Sequence, residues 1–271
     1  MEKNSNNYEE YRHALIWRGA LHSEPELSEK EALKIIDNSQ AWMLRNIYDF
    51  DTEEETNFWY IIKDNYSETD YSKKIRKYIE KANAKFEIRL ISKNRMLSQG
   101  FDVYENAHRH YKVNDGFRLN KEEFIAEINS MDNNEYDFWG CIDRDTDILQ
   151  AYSICHIHDS MCWFKYSRAN PEFLPKYYPM YGLYDARNRH YLSEKQLKYV
   201  MTSARSITRH SEIQSFLIEK FGFRKAFCKL KIYYRPWLRI LVNISFPFRR
   251  YIPIRPIKNL LTLEALNRGL D

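Results

Sequence analysis

The sequence predicts an α+β protein that has a mixed, mostly antiparallel sheet, flanking helices and a parallel strand pair near the centre of the sheet. Three strand-like segments, at 137–142, 148–158 and 161–166, are joined by short polar turns, which is typical of an antiparallel meander. A helix-like segment at 180–192 connects the third of them to a strand-like segment at 197–202. Because a strand–helix–strand connection makes its two strands parallel neighbours, the last strand is expected beside the meander.

The segment after residue 197 is where we expect the site to form. Residues 197–202 alternate apolar and polar side chains, and a helix is predicted to follow them. Ser211 and Gln214 have the spacing of a capping box, and Gly222 stands where a left-handed C-cap belongs. The apolar residues that share one face of this helix are Ile213, Phe216, Leu217 and Phe221. Open α/β sheets bind ligands beyond their strand ends. The polar residues at this strand end are Ser203, Arg205 and Ser206.

The other elements follow from local signals of the same kind. Ser28 with Glu31 and Asn120 with Glu123 are capping patterns at two predicted helix starts. Helices are predicted at 28–37, 72–84, 99–112 and 120–131, and strands at 86–92 and on both sides of an acidic loop, 49–55, within 42–62. The first eleven residues are expected to be frayed, and 170–179, with three prolines, to be irregular.

The composition is that of a globular chain with a sizeable core, since 44% of the 271 residues are apolar and 21 are tyrosines. Tyrosine suits both a core and the wall of a groove, because its ring is apolar and its tip is polar. The four cysteines have no CxxC spacing, so reduced thiols and a cytoplasmic location are expected. No segment approaches the roughly 20 apolar residues of a membrane-spanning helix.

Basic residues are concentrated near the end of the chain. Residues 222–271 contain eleven Lys or Arg and two acids, a net +9, so the overall charge of +4 leaves −5 for the first 221 residues. Such a bias indicates a polyanionic partner, an anionic membrane, or only a solvated face. Residues 237–252 mix apolar side chains with arginine. They either make peripheral contact with a membrane or pack on the domain in short pieces, broken by nearby prolines.

The order of elements resembles the GNAT-type N-acyltransferase fold, and within it the FemAB-related branch. Three motifs carry the resemblance: KKIRKYIEKANA at 73–84, SARSI at 203–207 and FLIEKFGFRKA at 216–226. A group of bacterial proteins has similar ARSI and KFGFRKA segments. The resemblance covers about residues 70–234. It implies a GNAT-like acyltransferase domain at 86–235, preceded by a partial, mixed α/β extension at 1–85 and followed by a basic tail at 236–271 that packs on the domain.

In this family the thioester of acyl-CoA lies in a wedge between the two parallel strands, and its pyrophosphate rests on backbone N–H groups at the start of the crossover helix. The resemblance therefore implies acyl-CoA, such as acetyl-CoA, as co-substrate and a helix start near Met180. The implied CoA contacts are Lys176, Tyr178, Tyr181 and Gly182. The family's glycine-rich loop is missing, because the chain has LPKYYPMYGL there, with Gly182 as its only glycine. Some FemAB-type members use aminoacyl-tRNA instead, and that alternative tolerates the loss.

The chemistry of such a transfer requires orientation of donor and acceptor, a proton acceptor and an oxyanion donor. His210 is the predicted base, with a surface histidine as the alternative, and Ser206 is assigned with it to the catalytic group. Arg205 is predicted to hold an anionic group of a ligand, the alternative being an ion pair with Glu212 or Asp185. Lys165, Tyr166 and Ser203 are predicted to face the same wedge, although a polar strand end explains them as well.

The sequence therefore favours an N-acyltransferase that acts on an amino group of a small molecule, an amino sugar or other glycan, or a cell-envelope precursor. The alternatives are aminoacyl-tRNA-dependent transfer, for which tRNA would be the partner of the cationic helix 72–84, and a GNAT-like binding module without catalysis. No DNA partner is expected. His156, His158, Cys155, Cys162 and Asp159 lie near one another along the chain, but they lack a second spaced ligand pair, so no metal is predicted.

Overall fold

The computed structural model describes residues 7–111, 118–207 and 212–270, and it confirms the predicted α+β class. The pairing of its strands is mixed and mostly antiparallel. Parallel pairing joins β2 to β3 and β8 to β9. The strands of the described residues are β1 (Tyr8–Tyr11), β2 (Ala14–Trp17), β3 (Met43–Thr52), β4 (Phe58–Lys63), β5 (Phe86–Ile91), β6 (Tyr136–Asp143), β7 (Leu149–His158), β8 (Met161–Ala169), β9 (Tyr199–Ala204) and β10 (Arg224–Tyr234).

Helices flank these strands. In the described part of the chain they are α1 (Glu29–Asp37), α2 (Lys73–Lys85), α3 (Lys93–Tyr111), α4 (Lys121–Ser130), α5 (Leu174–Tyr177), α6 (Pro179–Asn188), α7 (Glu212–Phe221), α8 (Pro236–Ser245) and α9 (Arg255–Asn267). α6 continues into a π-helical turn, Arg189–Glu194. Ser28 and Asn120 cap α1 and α4 through complete capping boxes, as predicted from their sequences.

The chain divides into two compact units. The central unit contains Ile62–Thr202 and Ser215–Phe223, and the terminal unit contains Met1–Ile61, Ser203–Gln214 and Arg224–Asp271. Strand order is β9-β8-β7-β6-β5 in the central unit and β1-β2-β3-β10-β4 in the terminal unit. The predicted boundaries at residues 86 and 236 concern domains rather than compact units, so they stay a prediction.

In the central unit, helices cover both faces of the sheet. Phe138, Tyr152 and Ile154 point to one face and form a core with α3 and α4. Neighbouring positions, such as Trp139 and Ser153, point to the opposite face because strand side chains alternate. There Trp139 Nε1 donates to the Tyr191 hydroxyl, and Ser153 meets Arg187 of α6. The crossover helix therefore packs on a face that is unusually polar.

The terminal unit is built from both ends of the chain. β10 pairs antiparallel with β3, and α1, α8 and α9 pack on β10. Its core includes Leu15, Ile36, Leu44 and Tyr233. Among the described residues, none of the helices combines the length and apolarity needed to cross a bilayer.

Several sequence-based expectations were wrong in detail. Residues 8–11 are a strand rather than a frayed end, because a turn at Arg12 and His13 folds β1 onto β2 and packs Tyr8 against Trp17. α3 begins six residues before the predicted start, since the Ser92 hydroxyl accepts from Arg95 N. The proline-rich segment 170–179 contains a 3₁₀ turn and α5, each with proline in its first turn, where proline is tolerated.

The predicted apolar face of α7 also needs correction. Ile213 is exposed, whereas Gln214 is buried and donates from Nε2 to the Ser203 hydroxyl (3.0 Å) and to the Ala204 carbonyl (2.7 Å). Gln214 therefore binds the end of β9, a contact that the capping pattern did not predict. Ser211, its predicted capping partner, lies outside the described residues. Gly222 has the expected left-handed conformation, with φ of 66°.

Candidate functional site

The parallel strands β8 and β9 pair over only three positions. The pairs are Met161 with Tyr199, Cys162 with Val200 and Trp163 with Met201. β8 then continues to Ala169, six residues beyond its last parallel partner. We call the point where the strands part, after the Trp163–Met201 pair, the wedge. Beyond this point β8 stays paired with β7, but its edge on the β9 side has no further parallel partner within the described ranges, as an opening between two parallel strands requires.

Polar and aromatic groups of the central unit line the wedge. The Trp163 indole donates from Nε1 to the Thr202 carbonyl over 2.8 Å. The Thr202 Oγ1 is buried and has no hydrogen-bond partner among the described residues. Lys165 Nζ lies 5.3 Å from the ring centre of Trp163 and 5.8 Å from those of Tyr136 and Tyr166. A buried hydroxyl without a partner is uncommon in folded proteins, and a bound polar ligand explains it well.

On the other face, the β8 strand contacts a fully buried arginine. The Arg187 guanidinium lies 4.1 Å from the ring centre of Phe164 and 4.6 Å from that of Tyr184. Nη1 donates to the hydroxyls of Ser153 and Ser167. The ion pairs of the described residues include none between Arg187 and a carboxylate, and its Nη2 is buried without a partner. The charge is thus held by hydroxyl groups and aromatic rings.

Two thiols complete this buried cluster. Burial by itself raises the pKa of Cys155, but hydrogen bonding from Cys162, the charge of Arg187 and the Ser153 hydroxyl outweigh it, and the pKa lies below the usual value. Burial, together with the hydrogen bond to Cys155, raises the pKa of Cys162. Since both thiols are fully buried, they are not placed to attack a substrate. The cluster provides Arg187 with a polarisable neighbour.

The start of α6 carries a cluster of tyrosines and lysines. Tyr78 of α2 stacks on Tyr178 with ring centres 3.9 Å apart and meets Tyr181 edge-on at 5.1 Å. Lys74 Nζ lies 5.8 Å from the Tyr78 ring, and Lys81 Nζ lies 5.6 Å from the Tyr178 ring. We call these five residues the tyrosine–lysine patch. Burial and the neighbouring Tyr78 raise the pKa of Tyr178, so its hydroxyl stays protonated and can donate to an anion.

The predicted Tyr178 and Tyr181 thus come together, whereas Tyr78, Lys74 and Lys81 were missed as site residues. All three belong to the basic helix motif at 73–84, but exposed lysines on a helix are equally explained by contact with solvent alone. Lys176 is exposed and lies beside the patch, 4.9 Å from the ring of Tyr177. The ion pairs recorded for the described part of the chain leave the exposed α2 cations without acidic partners: Lys73, Lys74, Arg76, Lys77 and Lys81.

Gly182 has a packing role. A Cβ atom at this position would lie 2.2 Å from Ile88 Cδ1 and 2.9 Å from Ala82 Cβ. The missing side chain therefore allows α6 to approach α2 and β5 closely. Backbone at the start of α6 is further shaped by Pro179 and by Tyr178, which caps the helix with a φ of 55°. The start of α6 therefore differs from a glycine-rich phosphate loop. A pyrophosphate bound there would need hydrogen bonds or charge from side chains as well as from backbone amides.

The predicted residues at the end of β9 lie in the terminal unit. The Ser203 hydroxyl accepts from Gln214, and Ser206 is half-buried. Arg205 is anchored to β4: its backbone N–H donates to the Trp59 carbonyl and its Nη1 to the Asn57 carbonyl, both over 2.7 Å. Asp185, a proposed alternative partner of Arg205, accepts from the Tyr66 hydroxyl over 2.9 Å. His210 lies outside the described residues.

The described residues contain no group of three or more His, Cys, Asp or Glu side chains able to hold a metal ion. His156 is buried, stacks on Tyr136 at 4.5 Å and lies 3.6 Å from the Glu135 carboxylate. A structural role in the hairpin accounts for these contacts.

No family model and no curated protein matches the sequence. The structure is nevertheless similar to solved structures. One is FemX, with a TM-score of 0.51 over 73% of each chain at 8% identity. A second is the C-terminal domain of a putative lysylphosphatidylglycerol synthetase from Agrobacterium fabrum, with a TM-score of 0.48, 8% identity and coverage of 74% of this chain and 70% of that one. A third is the PaiA N-acetyltransferase from Thermoplasma acidophilum in complex with coenzyme A, with a TM-score of 0.38, 16% identity and coverage of 55% and 99%. At this identity the likeness to FemX shows the fold alone, and the chain has the fold of FemX.

Proposed function

We propose that the protein is a GNAT-like transferase that moves an acyl group from acyl-CoA to an amino group of a small molecule, amino sugar or cell-envelope precursor. The wedge between β8 and β9 is the observation that carries this proposal. Such a transfer needs no covalent enzyme intermediate, because the amine attacks the activated carbonyl directly. The protein must hold the two reactants and accept a proton.

The residues of the wedge have roles that follow from their surroundings. Thr202 Oγ1, buried and unpartnered in the described chain, would bond a polar group of the donor at the point where β8 and β9 part. Lys165 and Tyr166, on β8 beyond the last parallel pair, would contact the acceptor. Arg205, Ser203 and Ser206 remain proposed ligand contacts, with His210 as the proposed base.

The donor's phosphates would bind at the tyrosine–lysine patch. Lys74, Lys81 and Lys176 supply positive charge. At the start of α6, Pro179 has no N–H and Tyr181 N donates to the Tyr178 carbonyl, so the Met180 N–H is the amide proposed as donor. Because Gly182 is used for packing, the backbone cannot approach a pyrophosphate as a glycine-rich loop does. We therefore expect weaker binding of acetyl-CoA than a glycine-rich loop would give, with lysine side chains providing much of it.

Aminoacyl-tRNA is a second candidate donor, favoured by the surface of α2. Its exposed cations extend from Lys73 to Lys81, which is about 12 Å along a helix. A pyrophosphate would engage only part of such a row, whereas an RNA backbone presents a series of phosphates. Tyrosine rings next to the lysines also suit stacking with unpaired bases.

Calorimetric titration with acetyl-CoA and with charged tRNA distinguishes the two donors. The double substitution Lys74→Ala and Lys81→Ala should weaken binding of the true donor about tenfold. Lys121→Ala, at an exposed position of α4, should leave that binding unchanged. Turnover is then followed with a panel of amines, by thiol release for CoA or by transfer of the labelled amino acid for tRNA. Submicromolar acetyl-CoA binding would contradict the weak affinity expected here, and the absence of any turnover would favour a binding module.

The proposed base has its own test. If His210 accepts the proton, the rate should rise through a pKa near 6.5, and His210→Gln should leave an enzyme that is about a hundredfold slower and less dependent on pH. An unchanged rate and profile in the variant would remove His210 from the mechanism.

A further inference from the structure

Helix α8 of the terminal unit has two apolar faces, and only one of them is covered. Leu238 and Val242 are buried in the unit. Ile240, Leu241 and Ile244 are 59%, 53% and 64% exposed. With 3.6 residues per turn, these three and Trp237 fall within an arc of about 100°, which is separate from the buried positions. A helix that packed only on its own protein would carry polar residues on this outer face.

The uncovered surface continues on both sides of α8. Trp42 is 43% exposed and meets Trp237 edge-on, with ring centres 5.6 Å apart. After α8, Phe248, Tyr251 and Ile254 are also exposed, and Tyr251 reaches 84%. We call this surface the α8 face, made of Trp42, Trp237, Ile240, Leu241, Ile244, Phe248, Tyr251 and Ile254. So many exposed apolar and aromatic side chains on one helix, against it and just after it in the chain are uncommon on proteins that remain fully in water.

The segment that carries most of the α8 face has charge of a single sign. Residues 236–263 include no Asp or Glu but five cations: Arg239, Arg249, Arg250, Arg255 and Lys258. Arg239 pairs with Glu29, and Arg249 lies 4.4 Å from the ring centre of Phe246. Arg250, Arg255 and Lys258 are exposed. A protein partner would need acidic groups spread over this rim, whereas an anionic lipid surface presents negative charge at every point of contact.

We propose that the α8 face binds the surface of an anionic phospholipid bilayer, with its isoleucine and aromatic side chains at the headgroup boundary and its cations among the phosphates. Tryptophan and tyrosine favour that boundary because their rings are apolar and their tips are polar. The helix has only ten residues and one of its faces is covered by the protein, so it lies on the membrane rather than across it.

The test is flotation of the full chain with vesicles of phosphatidylcholine alone and of phosphatidylcholine with phosphatidylglycerol. We expect binding to the anionic vesicles only, and weaker binding at high salt. Ile240→Ser, Ile244→Ser and Phe248→Ser together should reduce binding at least tenfold. Arg250→Gln, Arg255→Gln and Lys258→Gln together should reduce it about a hundredfold, since each cation near an anionic surface contributes about fivefold.

Matched controls use exposed residues outside the α8 face and outside α1, which contacts α8 through Glu29. The triple variants Ile148→Ser, Leu90→Ser, Ile213→Ser and Lys121→Gln, Lys195→Gln, Lys198→Gln should leave vesicle binding unchanged. Circular dichroism and the melting temperature identify any variant that has lost its fold. Equal binding to neutral vesicles, no binding to anionic ones, or equal losses in the controls would overturn the proposal. So would a dimer in solution that the three serines dissociate, because a second copy of the chain would then cover the face.

Discussion

The buried Thr202 hydroxyl, which has no partner among the described residues, has opposite effects on stability and on ligand binding. It lowers the stability of the folded protein, but it is free to bond a polar ligand. Thr202→Val keeps the shape of the side chain and removes this hydroxyl. We expect the free energy of unfolding to rise by about 0.5–1 kcal/mol and kcat/KM to fall about tenfold. Thr202→Ser should retain activity. Urea denaturation and steady-state kinetics measure the two quantities, and a variant less stable than the wild type would mean that the hydroxyl is bonded within the protein.

Glu24 links stability to pH. Its carboxylate accepts from Asn46 Nδ2 over 2.8 Å and from Ile47 N over 3.1 Å. Burial outweighs these bonds and raises the pKa of Glu24 to about 7. The folded state therefore binds this proton more tightly than the unfolded state, whose pKa is about 4.3. The stability that protonated Glu24 contributes is fully present below a pH of about 4.3 and is lost as the pH rises toward 7.

Glu24→Gln tests this linkage. The amide oxygen can accept the same two hydrogen bonds without a charge. We expect the variant to gain about 2 kcal/mol at pH near 8 and nothing at pH near 4, because the carboxyl is already neutral there. Chemical denaturation across this pH range measures the difference. The exposed Glu53→Gln serves as the control, and a gain that is the same at both pH values would contradict the assigned pKa.

Among the elements, the close contact of α6 with α2 and β5 depends on Gly182. Gly182→Ala should lower the free energy of unfolding by about 1–3 kcal/mol, since the new Cβ would overlap Ile88 Cδ1. Ile88→Val removes that atom. A double-mutant cycle should show that the second change recovers part of the loss. If the two effects simply add, the contact with Ile88 does not explain why glycine occupies this position.

Elements with strong local signals could be predicted well. The positions of Ser28 and Asn120 at the starts of α1 and α4 could be predicted because a capping box involves only residues three apart in the chain. The parallel pair could be predicted because a helix connects its two strands. β1 and β2 were missed because their pairing depends on the packing of Tyr8 and Trp17, which no local pattern reveals.

The site was harder to predict, since its residues meet only in three dimensions. Gln214 bonds the end of β9, a contact that its spacing from Ser211 does not indicate. Arg187 was not among the predicted site residues, because nothing in its local sequence marks it as fully buried between Phe164 and Tyr184. Tyr178 and Tyr181 could be predicted from a family resemblance, whereas their contact with Tyr78 could not, because it depends on the docking of α2.

At the scale of the whole molecule, all four cysteines are free and buried. A thiol reagent should therefore react with none of them in the native protein during a short assay and with four after unfolding. Ser98→Cys, at an exposed position of α3, should add one thiol that reacts at once. Ellman titration with and without denaturant provides the count, and fast reaction of a native thiol would mean that its unit opens locally.

The pairing of β3 with β10 has a consequence for how the protein folds during its synthesis on the ribosome. β3 ends at Thr52, but its partner begins only at Arg224. At typical translation rates the intervening residues take roughly ten to thirty seconds to synthesise. During that interval the nascent β3 lacks the strand that covers one of its edges, and such an edge is a template for wrong pairing. The terminal unit is therefore the part of this chain for which a chaperone at the tunnel exit would matter most.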